Sequence, residues 1–419
     1  MQVKFGLEFC VEAGRLVGGE EMGKVYVVGT CDTKSAELNY AKDAVLAAGA
    51  EALLIDVGTQ GRDEKADFTA EEIAAFHPQG VSAVLGLGDR GAAVSAMGLA
   101  LTHFLASRSD IGAVLGLGGT GNTALVTQAM RSLSIGIPKL MVSTVASGNT
   151  APYIGPSDLT MMYSVVDVAG LNAISRKVIG NAAHAAAGMA QNGVPDVATD
   201  RPGLGITMFG VTTACVAKVR ALMEPTHEIY VFHATGVGGR SMEKLADSGL
   251  VEGLIDVTTT EVPDLLVGGV FPATEDRFGA IIRTRLPYVG SVGAVDMVNF
   301  GARETVPPEF RNRRLHVHNA QVTLMRTTPE ENRAVGRFMV ERLNRMDGPV
   351  RFFLPLGGVS AIDAPGLPFY DPEADAAVFD AIRSGWKSAP NRKLIEIDAH
   401  INDQDFASAL VEAYYTISK

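Results

Sequence analysis

The sequence predicts an α/β protein built from two Rossmann-like, doubly wound domains with mainly parallel sheets and a cleft between them. Three observations predict it. Short apolar runs without polar alternation recur along the chain and alternate with helix-like stretches. Such runs are buried on both faces, as in a parallel sheet covered by helices. Several of them end in glycine-rich turns that open a helix, the order of elements in nucleotide-binding folds. The pattern also restarts after residues 192–203 (NGVPDVATDRPG), a polar stretch rich in proline and glycine that reads as a linker. A length of 419 residues suits two or three domains. The expected boundaries are 1–21 for an amino-terminal extension, 22–195 for the first domain and 204–419 for the second.

In the first half, Lys24 to Gly29 (KVYVVG) reads as a buried strand, Ser35 to Ala48 as a helix and Ala52 to Val57 as the next strand. That is a βαβ unit, whose crossover is right-handed. Strands are expected next at 82–87, 112–117 and 138–143, with helices near 91–107 and 121–134. A long helix over 171–191 closes the half. The hexapeptide AVLGLG stands at 83–88 and again at 113–118, about one βαβ unit apart. The repeat predicts two neighbouring units with similar loops, ending in Asp89-Arg90-Gly91 and in Gly119-Thr120-Gly121. In the second half, Leu204 to Phe209 is a strand, Thr213 to Met223 a helix and Glu228 to His233 a strand. Further strands are expected at 253–257, 294–299, 314–318, 351–355 and 393–397. Helices are expected near 240–247, 329–346, 373–383 and 403–417. The halves begin alike, with VVGTCDTKS in one and MFGVTTACV in the other.

Composition narrows the function. A formal net charge of −11 repels nucleic acid phosphates. The arginine-dense stretch from Arg303 to Arg314 reads as a solvated loop. No apolar run approaches the length of a membrane span. The amino terminus is interrupted by Glu8, Glu12, Glu20 and Glu21 and does not read as a signal peptide, and Met22 reads as close to the natural start. Cys10, Cys31 and Cys215 are far apart and form no CxxC pair, which suits a reducing, cytoplasmic setting. Gly18 to Lys24 fits G-x-x-x-x-G-K, but Val25 follows and the lysine begins a strand, so it is no Walker loop.

The motif with the most chemistry is Gly116-Leu-Gly118-Gly119-Thr120-Gly121-Asn122-Thr123, between a strand and a helix. Glycines let backbone amides approach a phosphate, and the helix amino end supplies unpaired N–H groups and a favourable dipole. Residues 122–157 contain no acid, so the ribose clamp of NAD sites is missing here. Gly29-Thr30-Cys31-Asp32-Thr33-Lys34 forms a second candidate. Its hydroxyls and amides suit phosphate, Lys34 suits its charge and Asp32 suits magnesium. The alternative is a helix cap. Gly88, at the end of the first hexapeptide copy, joins this set. Ser143, Gly148 and Asn149, in the loop STVASGNTAPYIGPSD, line a pocket or form a surface turn.

The second domain has its own loop, Thr235-Gly236-Val-Gly238-Gly239-Arg240-Ser241, with Asp256 at the end of the next strand. Its spacing suits a dinucleotide better, although Ser241 stands at the third glycine position. Residues i and i+2 share a strand face, so His316 and His318 are expected to point the same way. With His233 and Glu261 they suit acid/base chemistry or a metal, the alternative being hydrogen-bonded structural histidines. Asn299 and the loop Gly357 to Asp363 are further candidates to line that cleft.

The segments VYVVGTCDTKSAEL, LGLGGTGNT, MVSTVASGNTAPYIGPSDLTMMYSVVD, GVTTACV, HATGVGGRSMEKL and FLPLGGVSAID resemble the Tm-one-like ATP-binding family, across about residues 24–418. The resemblance implies two Rossmann-like domains with ATP in the first, near Gly29, Thr30, Asp32, Thr33 and Gly118 to Thr123. Cys31 replaces the family's usual leucine and Ser35 its glycine, while Asp32 and Lys34 stay in place. The expectation is a homodimeric ATP- and magnesium-binding protein that acts on a small molecule in the cleft. A non-catalytic, ATP-dependent binding or regulatory module is the first alternative. An NAD-type oxidoreductase using the 236–241 loop is the second.

Overall fold

The computed structural model describes residues 23–60, 66–194 and 200–418. The expected extension lies outside them, and so does the middle of the expected linker. By its internal contacts the chain forms two compact units. One runs to Tyr153 and resumes over Leu159–Val194; the other takes Ile154–Asp158 and Pro195–Lys419.

In the first unit the elements run β1 (Lys24–Gly29), α1 (Cys31–Ala47), β2 (Ala52–Asp56), α2 (Ala70–Ala74), α3 (Arg90–Ala106), β3 (Ile111–Gly118), α4 (Thr120–Met130), β4 (Lys139–Ser143), α5 (Ala151–Ile154), β5 (Thr160–Tyr163) and α6 (Ala173–Gln191). The sheet order is β2-β1-β3-β4-β5, and every neighbouring pair is parallel. Val25, Tyr26, Val27 and Val28 are wholly buried, as the unbroken apolar run predicts. One face is covered by α1 and α6, where Leu38, Ala41, Val45, Ala182 and Ala186 share a core with the strands. The small side chains of α6 let it lie close to the sheet.

The expected strand at 82–87 is not there. Residues 81–83 form a single 3-10 turn. The amides of Val84 and Leu85 bond back to the carbonyl of Val81, and Gly86 takes φ +85°. The same hexapeptide at 113–118 lies in β3 between β1 and β4, where both of its edges are paired. One copy satisfies its amides in a sheet and the other in a local turn, so pairing partners rather than composition decide.

In the second unit the elements run β6 (Gly203–Met208), α7 (Thr213–Met223), β7 (Glu228–His233), α8 (Val237–Asp247), β8 (Gly253–Thr258), α9 (Glu261–Val267), α10 (Gly279–Thr284), β9 (Tyr288–Gly293), β10 (Met297–Phe300), β11 (Leu315–Asn319), β12 (Val322–Arg326), α11 (Pro329–Leu343), β13 (Val350–Pro355), α12 (Pro372–Gly385), β14 (Arg392–Ile397) and α13 (Gln404–Ile417). Six strands form a parallel sheet of order β14-β13-β9-β8-β6-β7, and β10, β12 and β11 form a separate antiparallel sheet. The stretch expected as one strand at 294–299 belongs to two: β9 ends at Gly293, Ala294 turns the chain at φ +57°, and β10 starts the second sheet. One face of the large sheet packs on α7 and α13 through residues such as Cys215, Val219, Phe406 and Leu410. The other carries Met242 of α8, Val335 and Met339 of α11 and Val378 of α12.

Both units are therefore doubly wound, as expected. Each starts with a strand that is flanked by the second strand on one side and the third on the other. This 2-1-3-4-5 winding is the flavodoxin-like order, whose crevice opens between the carboxyl ends of the first and third strands.

Candidate functional site

In the first unit that switch point lies between β1 and β3. A cavity of about 320 Å³ opens there, and both expected loops line it. Thr30, Asp32, Thr33 and Lys34 come from the β1 loop; Gly119, Thr120, Gly121 and Asn122 come from the start of α4. Thr59, Gln60 and Arg90 also line it. Sequence reasoning missed these three, although Arg90 stands in the loop that ends the first hexapeptide copy.

The amino end of α4 is uncapped by any side chain, because Gly119 stands at the cap position. A methyl group added at Gly119 would meet nothing closer than Thr144 Oγ1 at 3.8 Å, and one added at Gly121 would meet open space. These two glycines keep a cavity wall bare. Gly116 and Gly118 do a different job. A Cβ at Gly116 would lie 2.5 Å from Met141 Sδ, and Gly118 takes φ +159° with Asn122 close behind it. The neighbouring helix α3 has no such open end, since Asp89 Oδ1 accepts from Ala92 N at 2.6 Å. Behind the loop, Thr123 Oγ1 donates to Gly119 O at 2.8 Å and lies 2.6 Å from Ser143 Oγ. Ser143 is wholly buried, so it anchors α4 rather than facing the cavity.

In the β1 loop, Thr30 and Thr33 hydroxyls lie 3.0 Å apart. Asp32 Oδ2 accepts from Thr59 N and Gln60 N, both at 3.2 Å, which leaves Oδ1 outside these two bonds. Lys34 Nζ donates to Val168 O. Buried Asp56, at the end of β2, ties the loop down by accepting from Cys31 N at 3.0 Å and Gly58 N at 2.8 Å. Burial pushes its carboxyl up, against the pull of those amides. Gly29 packs instead of binding, because a Cβ there would lie 2.7 Å from Leu38 Cδ2. Gly88, Gly148 and Asn149 do not line this cavity, and Asn149 Oδ1 accepts from Ala151 N at the start of α5.

The glycine loop of the second unit has a different fate. Its amides are taken by Glu261, whose Oε1 accepts from Gly236 N at 2.7 Å and Gly239 N at 3.0 Å. The carboxylate takes two amides that an anionic ligand of this loop would need. The other oxygen, Oε2, lies 3.4 Å from Arg277 Nε. Asp256, the expected ribose acid, is also spent inside. It accepts from both ends of a contact with Arg277 Nη2 at 2.9 and 2.8 Å, from Thr207 Oγ1 at 2.6 Å and from Tyr288 OH at 2.9 Å. Glu243 completes the group around Arg277, at 3.0 Å. Burial pushes the carboxyls of Glu243 and Glu261 up, while Arg277 pulls them down. A Cβ at Gly238 would lie 1.7 Å from His233 O, and one at Gly239 2.0 Å from Glu261 Oε2. Arg240 and Ser241 bond back to the carbonyls of Gly236 and Val237. The loop expected to hold a ligand is closed by the protein's own side chain.

The expected histidine group is not brought together either. His233 and His318 line one cavity of about 190 Å³, with Thr235 and Asn319. His316 instead stacks edge-on against Phe369, ring centres 6.3 Å apart. The ladder between β11 and β12 shifts register between Val317 and Asn319, so the simple two-residue alternation fails there. Glu261 is wholly buried with Arg277. Asn299 Nδ2 donates to Asp264 Oδ1 at 3.1 Å, and Asp363 Oδ2 accepts from Val359 N at 2.9 Å, so both are interior braces. Among the described residues no group of three His, Cys, Asp or Glu is placed to hold a metal ion, and no helix is long and apolar enough to cross a membrane.

Known proteins match this chain along most of its length. A protein from Mesorhizobium japonicum is 55% identical over 95% of this chain and all of its own length. One from Rhizobium meliloti is 53% identical over 95% of this chain and all of its own length. The ToMV resistance protein Tm-1(GCR237) of Solanum lycopersicum is 42% identical over 94% of this chain but only 56% of its own length. Residues 23–195 match the amino-terminal domain of the family described as "Uncharacterised protein family (UPF0261)", and residues 201–418 match its carboxyl-terminal domain. The chain belongs to the UPF0261 family.

Proposed function

We propose that the first unit binds ATP with magnesium, its phosphates lying on the open amino end of α4. The observation that carries this reading is the pairing of that uncapped helix end with the β1 loop around one cavity, across two glycines where a side chain would meet no obstacle. A helix amino end offers unpaired N–H groups and a favourable dipole to an anion. Arg90 and Lys34 line the same cavity and suit the phosphate charge. Magnesium with a nucleotide needs few protein ligands, commonly one or two carboxylates beside the phosphates. Asp32 Oδ1 fits that part. The ion would neutralise part of the phosphate charge. The choice of ATP among nucleotides rests on the likeness of these loops to the ATP-binding family.

The plugged second loop and the buried Asp256 weigh against an NAD-type oxidoreductase in the second unit. The proposal keeps the cytoplasmic homodimer expected from the sequence, and the buried cysteines Cys31 and Cys215 suit a reducing compartment. Light scattering tests the dimer.

Thermal unfolding of the whole protein with and without ATP and magnesium tests the site. A ligand at roughly a hundred times its Kd stabilises by about 2.7 kcal/mol, a rise of several degrees in melting temperature. Asp32→Ala and Gly119→Val should fold and lose that rise. A rise kept by both variants would sink the proposal. Steady release of phosphate by the purified protein would favour an enzyme over an ATP-ordered binding module.

A further inference from the structure

Among the cavities that the nucleotide reading leaves unused is a space of about 190 Å³ at the carboxyl edge of the second sheet. Its walls are apolar: Phe209, Phe271, Val322 and Leu324. Its side-chain polar groups are the rings of His233 and His318, the amide of Asn319 and the hydroxyl of Thr235. His233 is braced by Phe209, ring centres 5.2 Å apart. Asn319 accepts from Gln321 N through Oδ1 at 2.8 Å, which leaves its Nδ2 as a donor. Gly210 and Val211 line the cavity and lead into α7, whose Cys215 N donates to Asn402 Oδ1 at 3.1 Å. No lysine, arginine, aspartate or glutamate is among the described lining residues. Glu261, the acid of the adjacent glycine loop, is turned inward to Arg277.

These features select a ligand by its chemistry. Ring and amide donors favour an anion. The lack of lysine and arginine disfavours a phosphate, which carries more charge and recruits such groups. The apolar walls favour a hydrocarbon body. The volume lies below the roughly 300 Å³ at which pockets begin to take drug-sized molecules, so the ligand is small. We propose that the second unit binds a small monocarboxylic acid with a branched or aromatic apolar body, its carboxylate held by His233 and His318. The site is separate from the nucleotide cavity and stands whether or not ATP binds there.

Titration calorimetry on the full chain tests this, with 4-methylpentanoate and phenylacetate as probes and 4-methylpentanamide and phenylacetamide as uncharged controls. The acids should bind with a Kd of about a millimolar or tighter, and the amides on the order of tenfold more weakly, because a charge-assisted hydrogen bond is lost. The double substitution His233→Ala and His318→Ala should weaken the acids by a similar factor. Gly210→Phe should abolish binding while the melting temperature stays unchanged, since Gly210 lines the cavity and a Cβ there meets nothing within 4 Å. Gly119→Val should bind the acids normally. Four results would each overturn the proposal: silence from both acids at millimolar concentration, amides that bind as well as the acids, full binding by Gly210→Phe, or loss of binding in Gly119→Val.

Discussion

A methyl group added at Gly121 would meet open space, while one at Gly238 would lie 1.7 Å from the carbonyl oxygen of His233. Both glycines stand in strand-to-helix loops of similar composition. One leaves room for a ligand and the other makes room for the protein's own backbone, a distinction that no glycine count reveals. Buried acids at this scale also set a pH response. Burial pushes Asp264 from its ordinary 3.8 up to about 7, against donations from Asn299 N, Phe271 N and Asn299 Nδ2. Between about 4 and about 7 the unfolded chain has released this proton and the folded chain still holds it. The folded state binds more protons there, so this group's contribution to stability falls as pH rises through that window. Urea unfolding across pH should therefore give a flatter slope between those values for Asp264→Asn than for the unaltered protein. Equal slopes would mean that Asp264 is ionised in the fold throughout.

At the scale of elements, α4 and α8 begin in the same way and end in opposite roles. The amides at the start of α8 are satisfied by Glu261, more than twenty positions further along the chain, while α4 starts bare. The glycine-rich spacing was legible in sequence for both. Which helix end was free was not, because the plug comes from α9 and reaches the loop only when the sheet is assembled. Glu261→Ala should destabilise the protein by roughly 2–4 kcal/mol, since two buried amides lose their acceptor and Arg277 loses a partner. Inorganic phosphate should then restore part of the loss by entering the vacated place, and it should leave the unaltered protein's urea midpoint almost unchanged. Glu261→Gln keeps an acceptor for the amides and should cost less. A variant that phosphate fails to rescue would show that the second loop cannot hold an anion even when opened.

At the scale of the whole molecule, the two units repeat one winding and use it differently. Hydrogen exchange measured by mass spectrometry should show ATP slowing the amides of residues 30–34 and 119–122, with residues 203–418 unaffected. A small organic acid should slow exchange around 209–213 and 318–324 instead. Slowing in the second unit by ATP would place the nucleotide elsewhere. Much of this architecture was readable from the chain. The unbroken apolar runs of β1, β3 and β6 announced a parallel sheet because burial on both faces permits no polar alternation. The strand–glycine–helix order announced where phosphate-holding loops would lie, because both features depend on neighbours in sequence. Tertiary structure alone decided the rest. It made AVLGLG a central strand at 113–118 and a turn at 83–88, since only one copy has a strand on each side to satisfy its amides. It separated His316 from His318 through a register shift. It filled one glycine loop with a carboxylate and left the other open. In each case the deciding group is distant in sequence, so spacing within a motif could not contain the answer.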